Sequence, residues 1–151
     1  MGAARRRFGG PAPRHNERME KVTLSDQDWK TKLTPEQYQV LRKAATEAPF
    51  TGTYVHVKDK GVYRCAGCGA DLFRSDAKFD SGTGWPSFYE PVSEDALEFH
   101  RDWSMLVPRT EVRCAACGGH LGHVFDDGPQ PTGKRYCMNS CALDLGKTAT
   151  S

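Results

Sequence analysis

Cys114-Ala115-Ala116-Cys117-Gly118-Gly119-His120-Leu121-Gly122-His123-Val124-Phe125 decides how this chain is read. Its first five residues nearly repeat Cys65-Ala66-Gly67-Cys68-Gly69. Each CxxC is a tight turn through which two thiolates can grip one ion, and the glycine after it lets the backbone curl. Four thiolates in a tetrahedral array suit Zn²⁺, and four protein ligands leave no open position for a catalytic water. The spacing therefore predicts one structural zinc on Cys65, Cys68, Cys114 and Cys117, pinning two hairpins together. A pair of disulfides or an iron centre are the alternatives. The sequence has no apolar export segment, so the paired knuckles favour metal in a reducing compartment over secreted disulfides.

Composition fits one soluble globular domain in 151 residues, with 38% hydrophobic and 10% aromatic side chains. No apolar run approaches the ~18 residues of a membrane span. The net charge of +2 is misleading, because residues 1–18 hold five arginines against Glu17. The other 133 residues carry 16 basic and 18 acidic groups. That body offers no bulk field for nucleic acid. We expect residues 1–20 to be a basic, disordered tail, 21–146 a single catalytic domain and 147–151 a C-terminal tail. A cytoplasmic monomer with no nucleic-acid or membrane partner is expected. The alternative is an organellar protein in which residues 1–18 act as a targeting segment.

Working outward, Ser25 to Trp29 reads as a capped short helix. Thr34-Pro35-Glu36-Gln37 reads as a capping box with proline at the first helical position. Tyr38, Leu41, Ala44 and Ala45 then recur at helical spacing until Pro49. From Thr51 the pattern turns to β. Tyr54 to Val57 and Val62 to Cys65 flank Lys58-Asp59-Lys60-Gly61 as a hairpin. Further strands are expected at Leu72-Phe73, Ser87 to Tyr89, Leu97 to His100, Ser104 to Val107, Glu111 to Cys114, His123 to Phe125 and Arg135 to Cys141. The predicted fold is mainly β, an antiparallel sandwich or partly open barrel with N-terminal helices.

Two cysteines, Cys137 and Cys141, stand outside the tetrad. On a strand, Arg135, Cys137, Asn139 and Cys141 share one face. A guanidinium and an amide beside Cys137 favour its thiolate. A lone cysteine is more often buried and inert, and that is the expectation for Cys141. His120 and His123 can face a common site if the backbone turns, and imidazole can hand a proton to a leaving oxygen. Ser81 to Phe88 forms a glycine-rich loop in which Trp85 either lines a site or caps the core.

Ser81-Gly82-Thr83-Gly84-Trp85-Pro86-Ser87-Phe88, Gly119 to Phe125 and Arg135-Tyr136-Cys137-Met138-Asn139-Ser140 resemble the signature blocks of the B-type peptide-methionine (R)-S-oxide reductases. The resemblance runs in order from about Leu24 to Leu145. It implies a zinc-stapled antiparallel β domain that reduces the R epimer of methionine sulfoxide in proteins or peptides. By position, Cys137 would attack the sulfoxide sulfur, while His120 and His123 would bind and protonate its oxygen. Arg135 and Asn139 would set the thiolate and its hydrogen bonds. Trp85, and more weakly Phe125, would receive the methyl group. The first products would be methionine and a Cys137 sulfenic acid.

The sequence departs from that pattern at Thr83, where many members carry a resolving cysteine. On a continuous strand, the Cα atoms of Cys137 and Cys141 would lie roughly 13 Å apart, beyond the ~7 Å a disulfide tolerates. Thioredoxin, glutaredoxin or a small thiol is therefore the expected direct reductant. Two competing classes remain: a zinc-ribbon binding module and a thiol sensor that pairs Cys137 with Cys141.

Overall fold

The protein is described by a computed structural model covering residues 21–147. The tail expected at 1–20 and residues 148–151 lie outside the described residues. Both helices begin as their caps dictate. In α1 (Asp26–Lys32) the Ser25 side chain accepts from the backbone N–H of Asp28. In α2 (Pro35–Lys43) Thr34 and Gln37 form both halves of the capping box. Ala44, in the left-handed region at φ 59°, ends α2, and Val40 and Leu41 on its inner face are buried.

Nine strands follow among the described residues: β1 (Gly61–Cys65), β2 (Asp71–Arg74), β3 (Lys78–Phe79), β4 (Ser87–Phe88), β5 (Leu97–Asp102), β6 (Arg109–Cys114), β7 (His120–Phe125), β8 (Arg135–Met138) and β9 (Leu143–Lys147). They form two antiparallel sheets, ordered β2-β1-β9 and β3-β4-β8-β7-β6-β5, and neither closes into a barrel. Aromatic side chains join the sheets. Phe88 of β4 stacks on Phe73 of β2 at 4.4 Å between centroids and meets Tyr63 of β1 edge-on at 5.0 Å. All three are fully buried, and each of the two phenylalanines contributes about 1.5–3 kcal/mol by leaving water. Among the described residues no helix is long and apolar enough to cross a membrane.

Three segments depart from the expected strands. Tyr54 to Val57 is a run of turns and bends, because β1 is the central strand of its sheet and both its edges are taken by β2 and β9. Tyr54 instead packs edge-on against Tyr63 and accepts the Leu145 N–H on its hydroxyl. Ser104 to Val107 is an exposed loop, since the β5–β6 ladder ends at the Asp102–Arg109 pair and no core lies beyond it. The strand expected over Arg135 to Cys141 stops at Met138, and Ser140–Ala142 forms a 3₁₀ turn. Glu47 causes that break: its carboxylate accepts the N–H groups of Ser140 and Cys141, which a strand would offer to a neighbour. Two strands, β3 and β9, form where the sequence pattern predicts none.

Candidate active site

Cys137 lies on β8 between β4 and β7, opposite Ser87 on one side and His123 on the other. It opens into a cavity of about 260 Å³ whose wall includes Thr83, Trp85, His123, Phe125, Arg135 and Asn139. Arg135, Cys137 and Asn139 share this face, as the strand alternation predicts. Gly122 allows β7 to lie close: a Cβ there would overlap the Cys137 carbonyl oxygen.

The histidines meet through a β-bulge. Arg113 pairs with His120 and Val112 with Gly122, so Leu121 is an extra residue on β7. Alternation would send His120 and His123 to opposite faces; the bulge resets it. Their rings meet edge to face at 5.5 Å. His123 Nε2 donates to Asp102 Oδ2 at 2.8 Å, and His120 Nδ1 donates to Glu111 Oε2 at 2.7 Å. His123 forms part of the cavity wall. His120 sits behind it, 4% exposed, with Nε2 buried and unpartnered.

Electrostatics run against an easily ionised Cys137. Burial pushes the thiol above its ordinary 9.0, outweighing the pull of Thr83 and Arg135 in the other direction. Thr83 Oγ1 stands 4.0 Å from the sulfur. Arg135 divides its charge, making a two-pronged pair with Asp127 at 2.9 and 3.1 Å and lying over the Phe125 ring at 4.4 Å. Burial likewise lowers His123 below 6.5, with Asp102 opposing it and the Arg109 charge adding to it. The sequence-based expectation of a ready thiolate is therefore corrected: desolvation exceeds the effect of the neighbouring donors.

Trp85 is fixed by its indole N–H, which donates to the Glu47 carbonyl at 3.0 Å. Asn139 Nδ2 donates to the Leu121 carbonyl, and its Oδ1 accepts the Glu47 N–H. Away from the cavity, the sulfurs of Cys65, Cys68, Cys114 and Cys117 lie within 4.8 Å of one another. Cys65–Cys117 and Cys68–Cys114 are 3.7 and 3.5 Å apart. β1 and β6 each run into one knuckle, and Gly69 and Gly118 adopt positive φ where the chain curls. The four sulfurs are placed to hold one ion.

Residues 33–147 match the SelR domain. The chain is 57% identical over 127 residues to "Peptide methionine sulfoxide reductase MsrB" of Methanosarcina mazei, covering 84% of this chain and 91% of that one. It is 60% identical over 123 residues to the protein of that name from Agrobacterium fabrum, covering 82% and 91%. The chain belongs to the SelR-domain family of B-type methionine-R-sulfoxide reductases. "Methionine-R-sulfoxide reductase B3, mitochondrial" of Mus musculus is 53% identical over 125 residues, 83% of this chain and 49% of that protein.

No sequence motif singles out Glu47, Asp102, Arg109 or Glu111 in this SelR domain, although all four touch the cavity or the residues around it. A charged residue on a strand or in a loop carries no local signature; its role depends on register. Cys141 occupies a different cavity, with Glu47, Tyr54 and Ser140 in its wall. Burial, followed by the charges of Glu47 and Glu36, pushes its thiol up to about 12.

Proposed function

We propose that this reductase reduces methionine (R)-sulfoxide in peptides or proteins through Cys137. The observation that carries the proposal is the convergence of one non-tetrad thiol, the Trp85 indole and the His123 imidazole on a cavity sized for a single side chain. The substrate methyl group lies against Trp85, with Phe125 at the margin, and the oxygen faces His123 and Asn139. His120 supports His123 from behind. An aromatic wall on one side and hydrogen-bonding groups on the other distinguish the two sulfur epimers.

Burial keeps both Cys137 and His123 neutral in the free site, so the thiol carries the proton the reaction needs. As Sγ attacks the sulfoxide sulfur, that proton passes by way of the imidazole to the oxygen. The Sγ–S bond made in the attack and the S–O bond of the substrate then both break as the oxygen passes to Cys137, forming its S–O bond. Two electrons move from Cys137 to the substrate, giving methionine and a sulfenic acid. Two equivalents of external thiol, from thioredoxin, glutaredoxin or a small thiol, then restore Cys137 and release water and a disulfide.

The tetrad supports zinc as its ion, because a tetrahedron with Zn–S bonds of about 2.3 Å has sulfur–sulfur edges of about 3.8 Å. The observed 3.5 and 3.7 Å fit that edge. The ion's contribution is structural, tying β1 to β6. A cytoplasmic location agrees with the bacterial and archaeal relatives.

The deciding experiment compares R and S epimers with wild type and Cys137→Ser in excess dithiothreitol. Only the R epimer is consumed, and the variant loses at least about a thousandfold in rate. Equal turnover of both epimers, or an active Cys137→Ser, would falsify the proposal.

A further inference from the structure

The loop between β5 and β6 contributes no buried hydrophobic side chain to the core, yet it carries most of the exposed large hydrophobics among the described residues. Trp103, Met105, Leu106 and Val107 are 71, 57, 104 and 73% exposed, and Phe99 on β5 is 47% exposed. These are five of the seven exposed large hydrophobics among the described residues, so the exposure is concentrated rather than scattered. Such a patch marks a contact surface.

Its position says what it contacts. The loop leaves β5 at Asp102 and returns to β6 at Arg109. Asp102 Oδ1 accepts the Ser104 N–H at 2.9 Å, fixing the first turn of the loop. The other oxygen accepts His123 Nε2 at 2.8 Å and Arg109 Nη2 at 3.2 Å. His123 and Arg109 both line the Cys137 cavity. One carboxylate therefore couples the apolar loop to the cavity wall, and the loop returns into that wall at Arg109. Arg101 lies 6.0 Å from the Trp103 ring, a cation–π contact that ties the indole to β5.

The cavity, at about 260 Å³, takes one side chain. Whatever flanks an oxidised methionine in a polypeptide must lie outside it, on this rim. We propose that the Trp103–Val107 loop docks the polypeptide that carries the sulfoxide, accepting bulky apolar side chains next to the oxidised residue. The site thereby favours sulfoxides with apolar flanks over those with polar flanks. An exposed tryptophan flanked by aliphatic side chains has the composition of a binding hot spot. This inference rests on the reductase reading above.

The test uses three R-sulfoxide substrates: N-acetylmethionine sulfoxide amide and two equal-length peptides in which leucines or serines flank the oxidised residue. Wild type is compared with the double variant Trp103→Ser/Leu106→Ser, whose sites are solvent-exposed, and folding is checked by thermal melting. Wild type prefers the leucine-flanked peptide by about tenfold in kcat/KM. The variant brings that ratio close to one through KM and leaves the small substrate unchanged.

The proposal is overturned if wild type shows no flank preference, or if the variant keeps the preference. It is also overturned if the variant slows the small substrate equally, which would mean the loop acts through His123. Finding by sedimentation that the patch is buried between two copies, with the ratio unaffected by its loss, overturns it in favour of a self-interface. Failure of wild type on all three substrates would sink the reductase reading itself; turnover of all three without flank preference sinks only the docking.

Discussion

The backbone N–H of Glu47 donates to Asn139 Oδ1 at 3.0 Å, across 92 residues of chain. The same residue accepts the Trp85 indole on its carbonyl and clamps the Ser140 and Cys141 N–H groups with its carboxylate. Two walls of the cavity thus hang from one buried glutamate outside every signature block. Glu47→Ala strands one buried and one half-buried N–H group, which costs about 1–3 kcal/mol. We expect a lower melting temperature together with a raised KM, because the Glu47 backbone that holds Trp85 and Asn139 is no longer fixed by its carboxylate. Glu47→Gln, which keeps one accepting oxygen, recovers part of both. A Glu47→Ala enzyme that is less stable but kinetically normal would limit the residue to folding.

The Cys137 thiol gives a pH prediction. Burial raises its folded-state value above the ordinary 9.0. Alkylation of the free enzyme by iodoacetamide should therefore keep rising through pH 9 and not level off below it. The linkage has a matching sign. The unfolded chain gives up this proton more readily, so the residue's contribution to stability falls as pH rises past 9.0. An alkylation profile that is flat above pH 7, measured against Cys137→Ser as blank, would contradict the desolvated site.

Cys141 lies in a separate cavity, beside a carboxylate, and its thiol is pushed up to about 12. Such a thiol scarcely ionises near neutrality and neither attacks nor resolves a sulfenic acid efficiently. Cys141→Ser should leave both the first turnover and thioredoxin-dependent recycling within about twofold of wild type. Loss of recycling with a normal first turnover would make Cys141 the resolving group.

What the sequence revealed and what it concealed have physical causes. The tetrad, the capping box at Thr34 and the shared face of Arg135, Cys137 and Asn139 depend on spacing within short segments, and spacing is legible. The meeting of His120 and His123 depends on a bulge at Leu121, which only the pairing of β7 with β6 defines. Tyr54 to Val57 has good strand composition, but the edge it would occupy is taken by β9. The roles of Glu47 and Asp102 come from register and long-range packing, for which single carboxylates carry no local signal. The direction of the Cys137 shift was hidden for a similar reason: its polar neighbours are visible in the sequence and its burial is not.

The tetrad makes a prediction about cooperativity. Cys65 and Cys114 are buried at the ends of β1 and β6, which belong to different sheets. An ion held by both knuckles stabilises only the folded chain, so removing it lowers stability through mass action. Chelation, or Cys65→Ser, should reduce the melting temperature by more than about 10 °C, since structural sites contribute several kcal/mol. Metal analysis of the purified protein should give one zinc per chain, and none in the variant.

Gly122 supplies the sharpest steric test. A methyl group there would overlap the Cys137 carbonyl oxygen and sit 2.9 Å from the Met138 Cα, both backbone atoms that cannot rotate away. Gly122→Ala must therefore push β7 from β8, separating His123 from Cys137, its direct partner across the ladder. The expected cost is about 1–3 kcal/mol of stability, typical of overpacking. Activity should fall further than that loss explains, because the proton donor and the nucleophile sit on the two strands being parted. Measuring kcat at a temperature where the variant is fully folded separates the two effects. A folded variant with wild-type kcat would show that the reaction tolerates a wider gap between the strands than this geometry implies.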